Sequence, residues 1–138
     1  MKTIVKSIRL DKKTLSQIDA MIAASKETFS SFTSELIEEA IRMRRCPGIV
    51  FADGPVGRRA RIEGTGLEVW EVIQGYQSLN NNFNALKKTF HWLTEKQLLA
   101  AIGYAKAYPE KINALIEQNK ALTPEKVEEE LPFVRKKH

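Results

Sequence analysis

Cysteine occurs once, at Cys46, and histidine twice, at His91 and His138. A single cysteine excludes an intramolecular disulfide. One cysteine and two separated histidines also lack the clustered spacing of a zinc site. No apolar run approaches the ~18 residues that a membrane span needs. The opening MKTIVKSIRLDKK has no apolar core of the kind a signal peptide carries. These absences read as a cytosolic, cytoplasmic protein with no membrane partner. Catalytic signatures are missing as well: there is no nucleophile elbow, triad pattern or carboxylate–metal motif. Glu128-Glu129-Glu130 reads as a solvated helix face. Gly64-Thr65-Gly66 runs on into Leu67-Glu68-Val69. That fails the Walker pattern, which ends in Gly-Lys-Ser/Thr, and the dinucleotide pattern, which needs a third glycine at this point. The expectation is a protein that is not an enzyme and uses no cofactor and no metal. Gly64-Thr65-Gly66 is then a tight strand-to-helix turn with Thr65 as its polar capping group.

What is present is charge, modestly basic. The 138 residues carry 22 Lys and Arg against 17 Asp and Glu, a formal +5 with pI near 9.4. Residues 1–46 hold nine Lys and Arg against six acids, so most of the excess lies there. That is a local basic footprint of the kind that meets nucleic acid. The length suits one ordinary domain or two very small ones. A unit of about 45 residues buries too little apolar surface to stand alone, so a split chain points to oligomerisation.

Along residues 3–10, TIVKSIRL, Ile4, Ile8 and Leu10 share one face by period two, with Val5, Ser7 and Arg9 on the other. Lys6 interrupts the apolar face. Asp11 is a good N-cap for a helix carrying Leu15, Ile18, Met21 and Ile22, which fades near Ser25-Lys26-Glu27. A second helix starts at Ser30 or Ser31. It carries Phe32, Leu36, Ile37, Ala40 and Ile41 and ends before Cys46-Pro47-Gly48. A lone strand has no hydrogen-bond partner inside such a unit. A second copy of the chain supplies one if the two strands pair antiparallel above four helices.

This order, with the strand KSIRL, the cap Asp11, the helix TLSQIDAMI and the helix SSFTSELIEEAI, resembles the ribbon-helix-helix family of DNA-binding proteins. The resemblance implies a homodimer or higher oligomer whose paired strands enter the major groove of operator DNA. It assigns base contacts to Val5, Ser7 and Arg9, with Arg9 suited to guanine through its two-pronged guanidinium. It places Ser30 and Ser31 at a helix N-terminus facing phosphate. Lys6 departs from the usual apolar position; either the strand frays there or the side chain reaches towards phosphate.

Residues 47–119 read as a second unit. Ile49-Val50-Phe51 and Arg59-Ala60-Arg61-Ile62 are candidate strands about the turn-rich Asp53-Gly54-Pro55-Val56-Gly57. Val69, Val72, Ile73 and Tyr76 form a helical stripe beside Trp70. Asn82 caps a short helix with Phe83, Leu86 and Phe90. Thr94 and Gln97 have capping-box spacing, flanked by Leu93 and Leu98 as a hydrophobic staple. Leu98, Ala101, Ile102 and Ala105 continue that face. Pro109 ends this helix or starts another, with Ile112, Leu115 and Ile116 apolar.

The blocks Gly57 to Ile62, Gly64 to Val69, Leu93 to Tyr104 and Tyr108-Pro109-Glu110-Lys111-Ile112 occur in order. Together they resemble the family called domain of unknown function 433, a VapB-like antitoxin domain. The resemblance implies a small helical, homeodomain-like bundle with a short β element. It also implies a partner: a toxin protein of the PIN-like RNase kind. Gly66 stands where many members have arginine, so that arginine's role does not carry over. The helix pair 83–90 and 95–107 has a helix-turn-helix look. Lys96 and Lys106 are nearly all that its second helix offers to DNA, which favours protein binding or self-association for this unit. Arg58, Arg59 and Arg61 are candidate contacts to phosphate or to acidic groups of a partner, or else an exposed cluster on a solvated strand. In the tail, Leu122-Thr123-Pro124-Glu125 opens a short acidic helix before Leu131-Pro132-Phe133-Val134 and a basic end. Leu131, Phe133 and Val134 are candidate toxin contacts, or else the tail packs on its own domain or is left loose.

The expected fold class is mainly α with minor β. A ribbon-helix-helix dimerisation and DNA-binding unit spans 1–46, a helical antitoxin-type domain with a short β-hairpin spans 47–119, and a tail spans 120–138. The expected function is an antitoxin that neutralises a toxin nuclease and represses its own operon. The alternative is a stand-alone transcription regulator whose second domain oligomerises or senses a ligand.

Overall fold

The computed structural model of the chain describes residues 3–55 and 57–121. Those residues are mainly helical, with six helices and one small antiparallel hairpin. The chain divides into two compact units, Met1–Arg42 and Met43–His138, at a point inside the second helix.

The first unit begins with residues 3–11, which carry no helix or strand. The expected strand over 3–10 is therefore not formed in the single chain. The reason lies in hydrogen bonding: a strand exists only as half of a ladder. Among the described residues the only sheet pairs two strands further along the chain. Helix α1 (Lys12–Ser25) starts where the Asp11 carboxylate accepts the Thr14 backbone N–H at 2.7 Å. That bond lowers the Asp11 pKa, because it is made to the charged form. The helix stops at Lys26, whose N–H still bonds back to the Ile22 carbonyl while its left-handed backbone (φ 62°) turns the following chain away. Helix α2 (Phe29–Arg45) starts slightly earlier than the expected Ser30 or Ser31. Thr28 decides this, since its hydroxyl accepts the Ser31 backbone N–H at 3.1 Å.

The second unit starts in the last turn of α2. Pro47 disfavours helical backbone just before it, and Gly48 (φ 93°) turns the chain away. A β-carbon at Gly48 would lie 3.1 Å from the Ala100 side chain, so the turn also needs a small residue. Strands β1 (Ile49–Gly54) and β2 (Gly57–Ile62) then pair in register, from Ile49 opposite Ile62 to Gly54 opposite Gly57. Period two sends Ile49, Ala60 and Ile62 into the core, with Phe51 packed against it.

Four helices complete the unit: α3 (Val69–Ser78), α4 (Phe83–Thr89), α5 (Glu95–Ala107) and α6 (Pro109–Ala121). The expected caps act at two of them. The Asn82 side chain accepts the Ala85 N–H at the start of α4, and Thr94 and Gln97 form a complete capping box at α5. Pro109 is the first residue of α6, where its missing N–H costs nothing. One core gathers Ile49, Ile62, Val69, Val72, Ile73, Leu86, Leu93, Leu98, Ala101, Ile102, Tyr104, Ile112 and Ile116. Apolar residues from each of these four helices meet in it, together with the inner face of the hairpin.

Candidate DNA-binding and partner-binding surfaces

In the first unit the candidate DNA contacts Val5, Lys6, Ser7 and Arg9 are all exposed, on the segment without regular structure. Val5 is 94 % accessible, but Ile4 (81 %) and Ile8 (70 %) on the other face are open as well. One chain alone therefore gives this segment no inner and outer side. Ser30 and Ser31 lie exposed in the first turn of α2, and Thr28 already takes up the Ser31 N–H.

The apolar content of this unit is mostly uncovered. Ile18 is its only fully buried apolar residue among those described. On α2, Phe32 and Leu36 are half-buried with Glu39 buried below them, whereas Phe29, Ile37, Ala40 and Ile41 stay exposed. The expected stripe on α2 thus splits, and Ile37 and Ile41, one turn apart, head an open apolar face. Ile4, Ile8, Leu10, Leu15 and Met21 are also exposed. The Thr33 hydroxyl is buried without a hydrogen-bond partner among the described residues.

In the second unit the Gly-Thr-Gly stretch is a turn closed on itself. The Thr65 hydroxyl donates to the Ile62 carbonyl at 2.8 Å and accepts the Leu67 N–H at 3.1 Å, and Gly64 supplies a φ of 81°. Thr65 does not cap α3; Glu68 holds that position without a side-chain cap bond. The three arginines of β2 each lie next to carboxylates of their own unit. Arg58 Nη1 is 3.4 Å from Asp53 Oδ1 across the hairpin. Arg59 Nε is 3.8 Å from Glu68 Oε1, with both side chains largely covered. Glu68 Oε2 also accepts the Trp70 indole N–H at 3.0 Å. Arg61 bridges to Glu68 through its backbone and acts electrostatically on Glu71, while its Nε is buried with no hydrogen-bond partner among the described residues. Burial raises the Glu71 pKa, the Glu68 charge raises it further, and Arg61 opposes both. This arrangement ties the hairpin to the start of α3. Arg58 is the most accessible of the three and the best placed to meet something outside.

Lys96 and Lys106 are exposed on α5. No group of three or more His, Cys, Asp or Glu able to hold a metal ion occurs among the described residues. No described helix is long and apolar enough to cross a membrane. Leu131, Phe133 and Val134 lie outside the described residues.

Arg45 and Tyr108 meet without any signal in the sequence. The Arg45 guanidinium sits over the Tyr108 ring, 5.5 Å from its centroid, and its Nη1 donates to the Tyr108 hydroxyl at 3.2 Å. The two residues are 63 positions apart, and no periodicity links them. Beside them is an open notch of about 270 Å³ lined by Cys46, Pro47, Leu99, Gly103 and Tyr104. Leu99 did carry a signal: it is a leucine off the buried stripe of Leu98, Ala101 and Ile102. The chain matches no family model, no curated protein and no solved structure.

Proposed function

We propose that the chain is a DNA-binding antitoxin and autorepressor. Its first unit dimerises and recognises operator DNA, and its second unit, with the tail, holds a toxin nuclease inactive. The observation that carries the DNA-binding half is the state of the first unit. A unit of about 42 residues with one buried apolar side chain among those described is too small to be stable alone. Most of its exposed apolar residues lie on the segment 3–11 and on one face of α2, the surfaces that a ribbon-helix-helix dimer covers, with Leu15 and Met21 on α1 besides. Pairing two copies of 3–10 would give that segment its missing ladder. It would also turn Ile4, Ile8 and Leu10 inward and leave Val5, Ser7 and Arg9 outward. The local excess of positive charge over residues 1–46 supports the same reading. The toxin-binding half rests on the ordered motifs of residues 47–119.

Two measurements test it. Arg9→Ala weakens specific operator binding by roughly 1–3 kcal/mol, the worth of one bidentate guanine contact, and leaves toxin binding intact. Unchanged operator affinity removes Arg9 from the interface. The chain is also co-expressed with the product of its adjacent reading frame and the complex assayed for RNase activity with and without it. A stable, silent complex supports the antitoxin. A chain that binds promoter DNA and no neighbour is a stand-alone regulator instead.

A further inference from the structure

The notch on α5 is built from local chemistry that the motifs do not use. Its floor is apolar: Tyr104 and Cys46 are buried, and Pro47 and Ala100 border them. Leu99, 52 % accessible, stands at one edge. Gly103 opens the middle, because a β-carbon built there would meet nothing within 4 Å. The rim is cationic and oriented by a neighbouring ring. Arg45 is stacked on Tyr108 and bonded to its hydroxyl, so part of its side-chain entropy is already given up before it meets an anion. The charges on α5 are Glu95, Lys96 and Lys106, and Glu95 lies 3.9 Å from Lys87 Nζ. The charge facing a visitor along α5 is therefore positive.

From this geometry we propose that the notch receives one bulky apolar side chain of an acidic amphipathic helix from a partner protein, with a partner carboxylate on Arg45. The proposal rests on reading the second unit as the protein-binding half, and it names the surface. A site of about 270 Å³ and this openness suits a single anchoring side chain whose helix spreads over the surrounding surface. It is smaller than the pockets that enclose small ligands. Charge complementarity to Arg45, Lys96 and Lys106 selects an acidic helix over a basic one.

The test uses the full chain and three synthetic helical peptides: apolar–acidic, apolar–basic and polar–acidic. Binding is followed by backbone amide chemical shifts. The expected result is binding of the apolar–acidic peptide alone, with shifts centred on Leu99, Gly103 and Ala107. Gly103→Leu fills the notch and abolishes binding, and melting of that variant confirms that the fold survives. Leu99→Lys, at an exposed position, abolishes binding too. Arg45→Gln weakens it roughly two- to fivefold, the share of one partly exposed ion pair. Equal binding of the basic peptide, shifts centred elsewhere, or undiminished binding by Gly103→Leu overturns the proposal. A lower oligomeric state of Gly103→Leu in sedimentation also overturns it, because the occupant is then a second copy of the chain. The peptide readout involves neither a nuclease nor DNA. A chain that binds the acidic peptide yet silences no RNase therefore disproves the antitoxin and leaves the notch standing.

Discussion

At the scale of single residues, charge is the most informative feature. Asp11 and Glu71 are both carboxylates near helix starts, yet their pKa values move in opposite directions. Asp11 accepts a backbone N–H in the open, which favours its charged form. Glu71 is partly buried and lies near Glu68, which together disfavour its charged form more than Arg61 favours it. A raised folded pKa means that the folded chain holds its proton more tightly than the unfolded one. The Glu71 contribution is thus most favourable below the unfolded value of about 4.5 and is lost as pH rises through the higher folded value. Glu71→Gln is expected to raise the melting temperature at pH 7, and the gain should disappear at pH 4. A gain that persists unchanged at pH 4 would show that ionisation is not its cause. Nothing in the spacing of Glu68 and Glu71 foretells this. The effect comes from partial burial and from the charges of Glu68 and Arg61, which sequence patterns do not report.

At the scale of elements, local rules worked where the chain bonds to itself. Asp11, Asn82 and Thr94 were recognisable as caps because each partner lies three residues away. The same holds for the stripes of α3 and α5 and for the hairpin, whose strands are joined by a short glycine-bearing turn. Thr94→Ala removes one half of the α5 capping box and is expected to destabilise the second unit by about 1 kcal/mol, read by denaturant melts. A loss well above 2 kcal/mol would mean that this cap also holds the loop after β2, which Gln97 reaches through the Glu63 carbonyl at 3.4 Å. Residues 3–11 fared differently. Their alternation is that of a strand, but the partner that decides between strand and irregular chain is not nearby in sequence.

At the scale of the whole molecule, the two units differ in how far they complete themselves. The second gathers its apolar residues into one core around Val72, Leu98 and Ile62. The first leaves Ile4, Ile8, Ile37 and Ile41 in water. If a second copy covers that surface, stability of the first unit depends on protein concentration, and that of the second does not. Thermal melts over a hundredfold dilution series should then show two transitions, with only the one from residues 1–42 moving to lower temperature. Ile41→Lys should abolish that transition and leave the other in place. A single transition that ignores dilution would sink the dimer, and with it the paired ribbon.

The sequence by itself determined the local features of this protein: helix caps, the hairpin and the Gly64-Thr65-Gly66 turn. These follow from hydrogen bonds and periodicities that span a few residues. The tertiary structure alone decided which apolar residues are satisfied. Ile49 and Ile62 share a core, whereas Ile37 and Ile41, equally periodic, share none among the described residues. It also turned the arginines of β2 towards Asp53, Glu68 and Glu71 and set Arg45 on Tyr108 beside an open notch. Burial and charge pairing depend on what folding brings together from distant positions, and no pattern along the chain encodes that.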